Sequence, residues 1–257
     1  MLRNYNNKDF DLIEDVAYDR LSPDAITAFL WVTFVISAFM TYFISDAVDY
    51  SVYITNPIWS TIIKTNSILL VFHLLVTIFY SIKKNAFRFQ RFQTLLLCFF
   101  GLKLSLEFYP FYFTAVEDRF APAYMTTIGL LAIALGFVLL VVSVIRAIGR
   151  VKKGELREDG KGLYDFKQSK GYVSLPIIFG ATMLGGAISQ TFSSMGTPFG
   201  DMPGLFFILL LNITIQYAVA MVWPEFFLLA YGKFRFESFR IKMPKQTPKT
   251  GGRKVKR

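Results

Sequence analysis

Apolar runs of about 20 residues recur along this chain, and most of the charged residues are gathered in short blocks between them. That pattern leaves few folds open. At about 1.5 Å of rise per residue, a helix made from one such run crosses the roughly 30 Å hydrocarbon layer of a membrane. A transmembrane barrel would instead show weakly alternating segments, and no such alternation runs through the sequence. With 54% hydrophobic and only 18% charged residues, a soluble domain would lack polar residues to cover itself. The expected fold is all-α, a polytopic transmembrane helical bundle. Its six membrane-spanning helices are expected near 25–45, 64–82, 92–113, 123–146, 172–192 and 204–231.

Charge placement sets the expected orientation. Lys83, Lys84, Arg88 and Arg91 follow the second run, and Arg146, Arg150, Lys152, Lys153, Arg157, Lys161, Lys167 and Lys170 follow the fourth. The last run leads into a basic tail. The alternate connections hold Lys64 and Arg119 beside Asp46, Asp49, Glu117, Asp118 and Asp201. Basic loops stay cytoplasmic, so both termini are expected inside. Residues 1–24 are an acidic cytoplasmic segment and 25–231 the membrane domain. Within that domain 147–171 is a basic cytoplasmic loop, and 232–257 is a basic, largely disordered tail. The short outer loops and small size fit a bacterial cytoplasmic membrane.

Near the N-terminus, Phe10, Ile13, Ala17 and Leu21 recur at helical spacing opposite Glu14, Asp15 and Asp19. An anionic leaflet repels such a face, so it is expected to dock on the chain's own cytoplasmic side or on a partner. The segment is acidic, unlike a secretory signal, so the first run is read as a retained helix. Ser22-Pro23-Asp24 reads as a helix start. In the last run, Trp223-Pro224-Glu225 allows two outcomes. Either a kinked helix continues through, or the helix ends and residues 224–239 lie in the membrane plane. The loop from Val151 to Lys170 is expected to have no compact core.

The formal net charge of +10 records orientation and contact with anionic headgroups rather than nucleic acid. Phe and Arg interleave at Phe87-Arg88-Phe89 and Phe234-Arg235-Phe236, which suits a headgroup boundary. Arg88, Arg91, Arg235 and Arg240 are the candidate phosphate contacts. A single cysteine, Cys98, excludes an intrachain disulfide, and with His73 as the only histidine no zinc site is expected. No cofactor is implied.

Lys103 and Glu107 lie inside the third run, spaced i,i+4 on one helix face. Ionisable groups at membrane depth are costly and mark functional sites by default. Counting from Arg91 puts Lys103 about 18 Å and Glu107 about 24 Å deep; counting from Lys83 puts His73 about 15 Å deep. Asn212 and Gln216 fall in the outer half of the last run. Together Lys103, Glu107, His73, Asn212 and Gln216 form a candidate polar centre that either lines a path or holds helices together. Gly129, Ala132, Gly136 and Ser143 share a face of the fourth run, and Ala181, Gly185 and Ser189 a face of the fifth. Both are small-residue packing faces, for each other or for a second copy.

Enzymatic readings find little support. HExxH, GxSxG and Walker patterns are absent. The conceivable nucleophile pair is Cys98 with His73, and a free thiol buried in lipid is ordinarily inert. The sequence favours a non-catalytic integral membrane interaction protein, an accessory subunit or an immunity-type protein, with membrane lipids and a protein partner or second copy around it. The alternative is a small transporter or channel built on Lys103 and Glu107.

Overall fold

The computed structural model describes residues 2, 5–163 and 202–243. Among these it is helical, with no strand. After a 3-10 turn at Asn7–Phe10 come α1 (Asp11–Tyr18), α2 (Pro23–Tyr50), α3 (Ile58–Ser81), α4 (Lys83–Arg88), α5 (Gln90–Leu106), α6 (Tyr109–Asp118), α7 (Ala123–Lys152) and α8 (Met202–Arg235). Taking α5 and α6 as one span, five helices are long and apolar enough to cross a membrane. The sixth expected span, 172–192, lies outside the described residues, together with Ala181, Gly185 and Ser189.

The helices bury their polar residues and expose their apolar ones, as lipid-facing helices must. On α3 the buried residues are Trp59, His73, Thr77 and Tyr80, whereas Ile68 and Leu75 are 70% and 61% exposed. On α7, Leu135 and Ile145 face outward while Gly129 and Gly136 are buried. Water would penalise that arrangement at about 25 cal/mol per Å² of apolar surface; hydrocarbon does not.

Local chemistry explains the boundaries. The Ser22 hydroxyl accepts the Ala25 N–H at 3.4 Å, and Pro23 occupies the first turn, so α2 starts where the capping signal placed it. The second span, α3, starts at Ile58, earlier than the expected residue 64, which takes Lys64 out of the connection and onto an exposed face of the helix. The third span is not one helix. Pro110 has no N–H and its ring crowds the carbonyl four residues back, so α5 ends at Leu106 and α6 begins at Tyr109. Pro224, by contrast, lies inside a continuous α8. The reading with 224–239 in the membrane plane is thereby corrected. The turn after Pro224 buries Phe226, Leu228 and Leu229 in the main core, which holds the helix together across the missing bond.

Antiparallel and parallel pairings follow from which residues meet. Thr27 reaches the Tyr80 carbonyl and Ile44 packs with Trp59, so α2 and α3 are antiparallel. Gln93 reaches Pro23, and Ser51 reaches Asp118, so α5–α6 run parallel to α2. Met125 packs with Leu205 and Leu209, and Ala147 and Val151 with Leu228 and Leu229, so α7 and α8 are parallel. The end of α7 and the start of α8 therefore lie at opposite ends of the bundle.

The N-terminal arm docks on the chain itself. The Phe10 ring lies 5.7 Å from Tyr231 and 5.6 Å from Phe236, and the Leu12 N–H donates to the Leu156 carbonyl at 3.1 Å. Leu156 is fully buried in the main core, so residues 151–163 are compact where none of that loop was expected to be. Gly154 and Gly162, at φ +73° and +74°, make its tight turns possible. Residues 232–243, assigned to the tail from sequence, are also packed. Phe239 is fully buried and the Ile241 N–H donates to Gln90 Oε1 at 3.1 Å. The remainder of that tail, 244–257, is outside the described residues.

Candidate functional site

A seam of polar side chains runs between α2, α3 and α5. On α2, Thr33, Ser37 and Thr41 are spaced by four and all buried. Thr33 and Thr41 donate back to carbonyls of their own helix, at Phe29 and Ser37. Ser37 instead reaches across. Its hydroxyl donates to Glu107 Oε2 at 3.0 Å and accepts from Lys103 Nζ at 2.9 Å, and Lys103 and Glu107 form an ion pair with each other. Their side chains are 12% and 3% exposed.

The proline break sets the electrostatics of this triad. Lys103 sits in the last turn of α5, whose carbonyl end favours a cation. Glu107 is the C-cap of α5, with Phe108 between it and the start of α6, so the carboxylate stands at the break between the two helices and takes its partners from Ser37 and Lys103.

His73 belongs to the same seam but not to the triad. Its Nε2 lies 3.1 Å from the Leu30 carbonyl and 3.4 Å from Thr33 Oγ1. A carbonyl only accepts, so the network assigns the proton to Nε2. Nδ1 is buried without a partner, and the ring stacks on Phe100 at 3.7 Å and 17°. Below it, Gln93 donates to the Pro23 carbonyl and to Thr27, tying α5 to the start of α2.

Asn212 and Gln216 form a separate cluster. Tyr109 OH donates to Gln216 Oε1 at 2.6 Å, and Gln216 Nε2 donates to the Ile133 carbonyl at 3.2 Å. Asn212 donates to the Ile208 carbonyl at 2.8 Å, leaving its Oδ1 buried without a partner. Among the described residues no hydrogen bond or ion pair joins this cluster to Lys103 or Glu107. The expected five-residue centre is therefore corrected to two sites. Depth was matched but direction was not: Gly101 and Cys98 face α8, and Lys103, two residues beyond Gly101, points about 200° away toward α2.

The small-residue face of α7 packs within the chain. A Cβ on Gly129 would come within 2.6 Å of the Tyr112 ring, and one on Gly136 would overlap the Gln216 carboxamide. Ala132 packs beside them, while Ser143 is half-buried further along. The face thus receives α6 and α8 rather than a second copy. Cys98 and His73 lie at different faces of α5: His73, on α3, stacks on Phe100, whereas the Cys98 carbonyl accepts Trp223 Nε1–H at 2.9 Å on the α8 side. They do not meet.

At the basic end, the candidate headgroup arginines also have protein contacts. Arg88 lies over Phe89, Arg91 donates to the Lys233 carbonyl at 3.1 Å, Arg235 donates to Tyr231 OH at 2.8 Å, and Arg240 pairs with Glu237 at 2.7 Å. Asp9 accepts from the Asn6 N–H and pairs with Arg157 at 2.7 Å. Desolvation pushes the Asp9 carboxyl upward, but the Asn6 and Arg157 bonds outweigh it and hold the group below the usual aspartate value. Arg20 ties the arm to Glu225 at 2.8 Å.

Sequence reasoning passed over Ser37, Thr33, Gln93 and Tyr109. The hydroxyl repeat at 33, 37 and 41 was the available signal. Tyr109 carried none, because its direction depends on the break before α6. Among the described residues no three His, Cys, Asp or Glu side chains come together as a metal cage. In comparison with known proteins, no family model, curated protein or solved structure matches the chain. The fold and the polar-inside pattern define the class by themselves: a multi-pass helical membrane protein.

Proposed function

We propose that this is a non-catalytic membrane protein that acts by binding a protein partner in or beside the bilayer, as an accessory subunit or an immunity-type protein does. The observation that carries it is the closure of the buried charges on themselves. Lys103, Glu107 and Ser37 satisfy one another across α2 and α5, so the strongest charges at membrane depth serve to join two helices. An ion path would instead want a carboxylate or ammonium held open to water. The exposed apolar faces of α3 and α7 supply area for helix contacts within the membrane.

A second reading, a small transporter or channel, is favoured by one feature. The bare Nδ1 of His73 lies in the same seam as the charged triad. Reconstitution into liposomes separates the two readings. Proton, cation and anion leak are compared for the wild type, Glu107→Gln and Lys103→Leu. Leak equal to that of protein-free vesicles, from folded protein in all three, supports the partner-binding reading. Flux through the wild type that changes with either substitution refutes it in favour of transport.

A further inference from the structure

A cleft of about 510 Å³ opens between α3 and α7 at the end of the bundle away from the basic loops, with α6 behind it. Its walls are mainly apolar, from Trp59 and Ile62 on α3, Phe113 on α6 and Leu130 on α7. The volume falls within the range of roughly 300–1,000 Å³ typical of small-ligand sites. One charged side chain lines it, Glu117.

That carboxylate is held by neutral donors alone. Oε1 accepts the Thr55 and Asn56 N–H groups at 3.0 and 3.1 Å, and Oε2 accepts Trp59 Nε1–H at 2.6 Å. No Lys or Arg among the described residues pairs with it. Three fixed donors hold the carboxylate in place and bring no counter-charge to it. Trp59, Phe113 and Phe120 line the same cleft, and aromatic rings of this kind receive ammonium groups.

Phe120 is an independent sign that the mouth of the cleft is specified. It follows α6 in a left-handed conformation, φ +47°, where its N–H donates to the Glu117 carbonyl and the Ala121 N–H to the Val116 carbonyl. Glycine normally takes that position. The chain instead places a ring there that is 72% exposed and meets Tyr53 edge-on at 4.8 Å. Strain kept for an exposed ring points to use of the ring.

We propose that the cleft seats one acyl chain of a membrane lipid whose headgroup carries an ammonium, with that ammonium beside Glu117. On the α7 side the cleft is flanked by exposed Leu130 and Leu131, while the near end of α3 exposes Ser60, Thr61 and Lys64, so it is open to acyl chains from α7 and to headgroups at its polar end. A lipid can therefore enter it sideways. This inference does not depend on partner binding; silent liposomes leave it intact.

The test is native mass spectrometry of the detergent-solubilised full chain. Phosphatidylethanolamine and phosphatidylglycerol with identical acyl chains are added in turn. The wild type retains one phosphatidylethanolamine in preference to phosphatidylglycerol by about fivefold, the scale of one ammonium contact with a carboxylate and rings. Leu130→Trp fills the cleft and removes both adducts. Thr126→Lys places a cation opposite Glu117 and abolishes the preference. Leu130 and Thr126 are both exposed on α7, so both variants keep the fold, as unfolding midpoints verify. Equal retention of the two lipids by the wild type, or an adduct that survives in Leu130→Trp, overturns the proposal. Absence of any retained lipid also overturns it and leaves Glu117 to a cation-bearing protein partner.

Discussion

Replacing Gly136 by Ala is the most demanding test of the packing between α7 and α8. The new Cβ would occupy the space of the Gln216 carboxamide, so that group must swing away. It then loses the bond from Tyr109 OH at 2.6 Å and its own bond to the Ile133 carbonyl at 3.2 Å. Hydrogen bonds between membrane helices average about 0.6 kcal/mol and reach about 1.7, and stranding the buried Tyr109 hydroxyl adds about 1 kcal/mol or more. The expected loss is about 2–3 kcal/mol. Gly149, on the same helix, has nothing within 4 Å of where a Cβ would lie. There the same substitution should stabilise by about 0.5–1 kcal/mol, through helix propensity alone. In a Gln216→Ala background the clash is gone, so Gly136→Ala should cost almost nothing and the coupling between the two sites should be about 2 kcal/mol. Sodium dodecyl sulfate titration in mixed micelles, followed by fluorescence of Trp31, Trp59 and Trp223, measures the wild type and the four variants. If Gly136→Ala matches Gly149→Ala, or if the coupling falls below about 0.5 kcal/mol, the Gly136–Gln216 contact does not hold these helices together.

Three further outcomes are expected. Lys103→Leu alone strands the Glu107 carboxylate and should cost about 3–5 kcal/mol in the same titration, whereas Lys103→Leu with Glu107→Leu should restore most of that stability; equal losses would contradict a self-contained pair. The Asp9 carboxyl is held below its ordinary value of 3.8, so its contribution is fully present above that value and is lost as the pH falls through the lower folded value. The gap in thermal midpoint between wild type and Asp9→Asn should accordingly close as the pH is taken below about 4, and a gap that persisted there would remove Asp9 as its cause. Phe120→Gly relieves a left-handed residue at about 1–2 kcal/mol and gives up one exposed ring contact of about 0.5–1 kcal/mol; the midpoint should hold or rise while lipid retention falls, and a marked drop would make the ring a structural element.

Some of the fold was legible in the sequence and some was not, for identifiable reasons. The five described spans were legible because apolar length is a local property. The start of α2 was legible because Ser22 and Pro23 act within one turn. The two prolines near span ends were not distinguishable by composition. Pro110 breaks its span, while Pro224 is carried inside α8 by the packing of Phe226, Leu228 and Leu229. The loop after α7 read as coreless because its single buried anchor, Leu156, gains meaning only when the N-terminal arm lies against it. The pairing of Lys103 with Glu107 was legible from spacing, but the third member, Ser37, lies 66 residues from Lys103 in the chain.

What the sequence determined by itself is the solvent this protein folds in. Long apolar runs with ionisable groups, Lys103 and Glu107 apart, gathered between them demand helices in a bilayer, whatever the arrangement of those helices. The tertiary structure decided which buried polar groups meet. Residues at equal depth on neighbouring helices touch only if their faces turn toward each other, and that rotation is set by where Pro110 breaks the third span and where Gly136 lets α8 approach. Lys103 and Glu107 were thereby given to α2 and Gln216 to α7 and Tyr109, and Glu117 was left at the mouth of a cleft with no Lys or Arg paired to it among the described residues.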